Sequence, residues 1–174
     1  MTGPISLLFP ETRSVAAVIE LARRTEATGL DGVFLGSAFG FDPIMALAAA
    51  GAATSTVQIG VAVVPTWPRH PVVMAQQAAT ASQMSGGRFR LGVGPSHSPV
   101  MAMYGIDDRH PLGHLEEYLT IVRALVRDGR VKHKGERFKV SAFLDVADAP
   151  PPEVMLSVLR PGMARLAGKV ADGV

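Results

Sequence analysis

Short apolar runs recur along the chain, and each is followed by a longer stretch in which apolar residues return every three or four positions. The runs are Ile5 to Phe9, Gly32 to Leu35, Val57 to Val64, Phe89 to Val93 and Val154 to Val158. Their length and β-branched content predict strands, and the stretches between them predict helices. Near-continuous apolar strands such as Val57 to Val64 suit a parallel sheet covered on both faces by crossover helices. The chain therefore reads as a βα repeat of the α/β class.

Proline marks the helix starts at Asp42-Pro43, His70-Pro71, Ser98-Pro99, His110-Pro111 and Arg160-Pro161. At the first helical position its missing N–H costs little and its fixed φ is already helical. Asp42 and Ser98 can also cap. Gly29 and Gly129 fit left-handed turns that end helices over about 14–28 and 112–128. After Gly129 the alternation of Arg130 to Lys134, then Gly135, then Glu136 to Val140 predicts a hairpin inserted before the fifth strand. Five βα units fit either the first part of a closed barrel or an open doubly wound sheet.

A length of 174 residues predicts one domain, 1–174, and 48% hydrophobic against 18% charged residues excludes disorder. Seventeen basic against fifteen acidic residues give a net +2, too weak a balance to predict a nucleic-acid or membrane-surface binder. The chain has no cysteine, which excludes a disulfide framework, a thiol nucleophile and cysteine-ligated zinc, and the expected compartment is the cytoplasm. Ile5 to Phe9 is too short for a signal-peptide core. The uncharged stretch from Pro43 to Pro68 is interrupted by Thr54, Ser55, Thr56 and Gln58 and reads as a helix feeding a buried strand, not a membrane span. No His, Asp or Glu spacing matches a metal motif, so no metal is expected.

The first candidate chemistry is Gly92-Val-Gly94-Pro-Ser-His97, which follows a strand and precedes a helix. As a dinucleotide fingerprint it lacks the third glycine, replaced by His97, and the acidic residue at the end of a second strand. Two readings stay open at this point. The glycines either provide a tight strand exit only, or bare N–H groups there approach a phosphate or a planar ring.

Five ordered motifs carry a family resemblance: Thr-Trp-Pro-Arg-His-Pro (66–71), Ala-Gln-Gln-Ala (75–78), Gly-Gly-Arg-Phe-Arg-Leu-Gly-Val-Gly-Pro-Ser-His (86–97), Glu-Tyr-Leu (117–119) and Leu-Ala-Gly-Lys-Val-Ala-Asp-Gly (166–173). Together they resemble the luciferase-like monooxygenase superfamily, in its branch of oxidoreductases that use the deazaflavin coenzyme F420. The resemblance implies a TIM-type (β/α)8 barrel, with the cofactor at the C-terminal ends of the strands. About five βα units are present, and 171–174 resembles the start of a sixth strand, so an incomplete barrel lacking the last three strands is expected. It further implies a small organic substrate, hydride transfer with F420 and a homo-oligomer. FMN, as in monooxygenases of the same fold, and a non-catalytic cofactor-binding half-barrel are the alternatives.

Site residues follow from matching positions. The resemblance implies a third-strand bulge with a non-proline cis peptide at Ala62-Val63, backing the deazaflavin ring. Gly94, Pro95 and Ser96 match the loop that holds ring and ribityl chain, and Ser157 and Val158 match a cofactor-facing segment at the end of the fifth strand. Leu159 and Arg160 depart from the small residues usual there. At the second-strand exit many members carry Asp-His, whereas this chain reads Gly36-Ser37-Ala38, which leaves Ser37 as a hydrogen-bonding candidate. Arg69 is placed to meet a phosphate or the acidic tail of F420, and His97 is the catalytic candidate. His70 reads as a cap or an anion contact, and His110, His114 and His133 as surface, capping or solvated groups. The basic cluster from Arg127 to Lys139 reads as a solvated face. Met74, Met84, Met101, Met103 and Met155 read as fillers of core gaps.

Overall fold

The structure, a computed structural model, describes residues 4–9, 14–36, 39–107, 109–146, 148 and 150–174. Among them the elements run β1 (Ser6–Phe9), α1 (Val15–Ala27), β2 (Gly32–Leu35), α2 (Pro43–Ala52), β3 (Gln58–Pro65), α3 (Pro71–Met84), β4 (Phe89–Gly94), α4 (Ser98–Met103), α5 (Pro111–Asp128), β5 (Arg130–Lys134), β6 (Lys139–Phe143), β7 (Glu153–Leu156) and α6 (Pro161–Val170). Proline opens α2, α3, α5 and α6, as the dipeptides predict. Asp42 caps α2 by accepting from the N–H groups of Ile44 and Met45. Ser98 does not cap α4 but is its first residue, and His97 takes the cap position.

β1, β2, β3, β4 and β7 form one parallel sheet in that order, and β5 pairs antiparallel with β6 as the expected hairpin. This order decides between the two architectures. A doubly wound sheet reverses direction at a switch point, whereas here every strand is added on the same side. Right-handed crossovers then place all the helices on one face. That corrects the expectation of a sheet covered on both faces. Val33, Leu35, Ile59, Val61, Phe89, Leu91, Val93, Val154 and Leu156 are buried beneath the helices. The intervening inward positions, such as Leu8, Phe34, Gln58, Arg90, Glu153 and Met155, stay exposed or half-buried. Neighbouring helices α1, α2, α3, α5 and α6 pack in sequence, as in a segment of a barrel wall. Past α6, Gly173 bridges Met155 in parallel, so 173 occupies the next strand position.

Charged side chains pin the N-terminal ends of the strands. Asp31 accepts from the N–H of Ile5 at 2.6 Å. Arg88 donates to the carbonyls of Gly51, Thr54 and Val57 and to the hydroxyl of Thr54, closing the C-terminal end of α2. Asp172 accepts from Val154 N–H, Arg123 and Arg127. Glu26 accepts from the N–H groups of Thr56, Ser55 and Val57, and these bonds hold its carboxyl down from the ordinary 4.5 to about 2. A lowered folded-state pKa contributes stability above the unfolded value, and that contribution is lost as pH falls through the folded value. Thermal stability is therefore expected to decline between about pH 4.5 and pH 2, with Glu26→Gln less stable at neutral pH and flatter over that range, as melting curves against pH would show.

The hairpin is docked through α5. Glu117 accepts from the N–H groups of Glu136, Arg137 and Phe138, and His133 Nε2 lies 3.2 Å from its Oε2. Burial pushes this carboxyl up, but the donors together outweigh it and leave it below the ordinary range. His133 is thus a half-buried partner of Glu117, which corrects its reading as a solvated group. Met74 and Met101 are fully buried, whereas Met84 and Met103 are exposed and fill no core gap.

Candidate functional site

The opposite, C-terminal ends of the strands carry bare backbone where the other ends carry charge. β3 slips its pairing with β4 between Val61 and Val64, and the Ala62–Val63 peptide within that bulge is cis. Beside it, Gly94 ends β4. A Cβ there would lie 2.4 Å from Ser157 Oγ and 3.2 Å from Val63 Cγ2, so glycine lets Ser157 and Val63 pack onto bare backbone. Ser157 follows β7 directly, its N–H donating to the Val93 carbonyl at 2.9 Å. Ala62, Val63 and Ser157 line a cavity of about 230 Å³ together with Phe34, Gly92 and Met155 among others. A second hollow of about 400 Å³ adjoins it through Ser157 and is lined by Pro95, Leu112, Leu159, Arg160 and Met163.

The structure thus gathers Ala62, Val63, Gly94, Pro95 and Ser157 of the sequence-derived candidates in one place. Ser96 adopts φ 68° at the following turn. Val158 is partly buried against the core. Arg160 stands exposed at the start of α6, with Leu159 91% exposed beside it, so these two unusual residues rim the second hollow and do not fill it. Ser37 lies outside the described residues. His97 is exposed at the start of α4 and makes no capping bond.

Arg69 sits apart from this group. Its guanidinium donates to Asp42 Oδ2 at 2.8 Å, and it lines a separate cleft of about 390 Å³ with Phe41, Pro65, Pro68 and Tyr104. His70 caps α3 through Nδ1, which accepts from the N–H of Val72. His114 is a further residue that the sequence reading misplaced. It is buried, stacked on Trp67 at 3.6 Å, with Nε2 3.0 Å from Thr66 Oγ1. Burial, aided by the Arg137 charge, pushes its pKa down to about 4. The helical period offered the signal, because position 114 shares a face with Tyr118, Ile121 and Leu125.

Among the described residues no group of three His, Asp or Glu could hold a metal ion, and no helix is long and apolar enough to cross a membrane.

Consecutive parallel strands wound one way, with bare backbone and hollows at their C-terminal ends, define a βα-barrel segment. The chain belongs to the luciferase-like monooxygenase family, whose match runs over residues 5–174. It is 32% identical over 168 residues to an F420-dependent glucose-6-phosphate dehydrogenase of Nakamurella multipartita, covering 88% of this chain and 50% of that protein. Its fold matches an F420-dependent secondary alcohol dehydrogenase, solved with an F420–acetone adduct, at a TM-score of 0.85 and 26% identity, over 99% of this chain and 57% of the other. The FMN-bound oxygenating constituent of 3,6-diketocamphane monooxygenase from Pseudomonas putida matches at a TM-score of 0.77 and 22% identity, over 95% and 54%. The chain spans about half the length of the curated relatives it matches.

Proposed function

We propose that this chain holds the cofactor of an oxidoreductase that moves a hydride between a small organic substrate and the deazaflavin coenzyme F420. The observation that carries this reading is the cavity of about 230 Å³ lined by Ala62, Val63, Gly92 and Ser157 at the C-terminal ends of adjacent strands. With no side chain at Gly92, it suits close approach of a flat ring to backbone. Relatives bearing F420-dependent names support the choice of chromophore.

When bound, the deazaflavin supplies the hydride chemistry. Ala62, Val63, Gly94, Pro95, Ser96, Ser157 and Val158 would hold the ring and its chain at these strand ends. Arg69, held by Asp42 beside its own cleft, offers its remaining N–H groups to an anionic tail. His97, exposed just past Ser96, is the candidate for moving the proton that accompanies the hydride. We also infer that the chain works as a homo-oligomer, since its inward sheet face is uncovered.

Titrating the purified chain with F420 and with FMN while following fluorescence tests the reading. Saturable binding of F420, tighter than that of FMN, is expected. Tighter FMN binding would replace this function with an FMN-dependent monooxygenase. Binding of neither would leave no support for a cofactor site.

A further inference from the structure

Thr66 joins the two strand exits that carry the site. Its N–H donates to the Gly94 carbonyl at 3.0 Å, and its hydroxyl donates to the same oxygen at 3.4 Å. A hydroxyl has one proton, so with that proton on Gly94 the oxygen must accept from His114, whose Nε2 lies 3.0 Å away. In that arrangement the tie runs from the ring on α5, through the hydroxyl after β3, to the carbonyl that ends β4, and it requires the proton on Nε2.

The ring has little freedom to do otherwise. His114 stacks on Trp67 with planes 14° apart, and Tyr118 and Phe138 tilt against it at 5.4 and 5.6 Å. Thr66 is fully buried and His114 only 4% exposed. The indole N–H of Trp67 and the hydroxyl of Tyr118 are buried with no hydrogen-bond partner in the structure. The aromatic cluster therefore sets the ring plane by packing, and the polar tie from that ring leads to Thr66. Unlike the charged clamps at the other end of the barrel wall, this tie is uncharged and ends at a site residue.

We propose that His114 is a positioning residue that, through Thr66, fixes the Gly94 carbonyl and so the backbone on which Ser157 and Val63 pack. The consequence for a ligand rests on the assignment of Gly94 to the cofactor site. The placement itself does not.

The test uses His114→Phe, which keeps a stacked ring but has no donor, Thr66→Val, which keeps the ring cluster but has no hydroxyl, and the double variant. Two quantities are read: amide hydrogen exchange at Thr66 without cofactor, and the Kd for F420 and FMN. Nitrogen-15 NMR of the unmodified chain is expected to show His114 protonated on Nε2. Each single variant is expected to speed Thr66 exchange about tenfold relative to core amides and to raise the Kd about tenfold, the worth of roughly one buried hydrogen bond. The double variant is expected to do no more than either single one, because both remove one tie.

A proton on Nδ1, or unchanged Thr66 exchange in the single variants, would overturn the inference. Faster exchange with an unchanged Kd would overturn its bearing on the ligand. Additive losses in the double variant would assign the two residues to separate structural roles and overturn it as well. If the unmodified chain binds neither chromophore, the proposed function falls and the tautomer and exchange results decide this inference alone. Should His114→Phe not fold, Thr66→Val carries the same comparison.

Discussion

Gly94→Ala is expected to cost the protein most of its affinity for F420 with little loss of stability, whereas Gly92→Ala, two residues earlier in the same strand, is expected to destabilise the fold strongly. Both positions face inward, and they differ in what a methyl group would meet. At 94 the nearest atoms are side-chain ends, Ser157 Oγ at 2.4 Å and Val63 Cγ2 at 3.2 Å, which rotate away at small cost. Both residues line the cavity, so displacing them alters it. At 92 the methyl would lie 2.1 Å from the carbonyl oxygen of Val61, a backbone atom of the adjacent strand that has nowhere to go. A cost of about 3 kcal/mol or more follows for Gly92→Ala, a fall in Tm of roughly 6–12 °C for a chain of this size. For Gly94→Ala the expected result is a Kd raised at least about tenfold with Tm nearly unchanged. Circular-dichroism melts and fluorescence titration of the two variants separate these outcomes. Equal loss of folding and binding at 94 would mean that its glycine serves only the turn.

The second large effect concerns assembly: at low micromolar concentration the purified chain is expected to scatter light as a dimer or larger species. β1 forms one edge of the sheet with Leu8 66% exposed, and Val174 stands 77% exposed beyond the other edge. Between them the inward face shows Phe34 and Met155 half-buried. Unpaired strand edges and an apolar face favour association. Burying roughly 400 Å² of apolar surface contributes about 10 kcal/mol, comparable with the loss of rotational and translational freedom on pairing. Edge pairing about a twofold axis would close the assembly at two copies. A compact monomer that unfolds cooperatively would sink this expectation.

Much of this architecture could be read before folding, because the signals were local. Pro43, Pro71, Pro111 and Pro161 each open a helix, and the alternation after Gly129 is the hairpin. The misreadings came where a residue's surroundings are supplied by distant chain. The strands seemed buried on both faces because their inward positions include Gly32, Gly60 and Gly92, which do not look polar. Gln58, Arg90 and Glu153 were the contrary signs, and Arg90 pairs with Glu153 at 2.7 Å on that face. His133 meets Glu117 across sixteen residues of sequence, a pairing that no spacing announces. Among the site candidates, position in the motif brought Ala62, Val63, Gly94 and Ser157 together, while Arg69 went to a cleft of its own because Asp42 holds it there.

The glycines of β2 and β3 have one more consequence. A Cβ at Gly60 would fall 2.5 Å from Phe34 Cε1, and one at Gly32 would fall 3.2 Å from Cε2, so the ring of Phe34 lies flat over two strand positions that carry no side chain. That ring is a floor. It lines the lower side of the cavity beside Ala62 and Val63, together with Arg90 and Met155. The depth to which a ligand can descend is therefore set partly by one aromatic ring, and a smaller residue at 34 would deepen the cavity without changing Ala62, Val63 or Ser157.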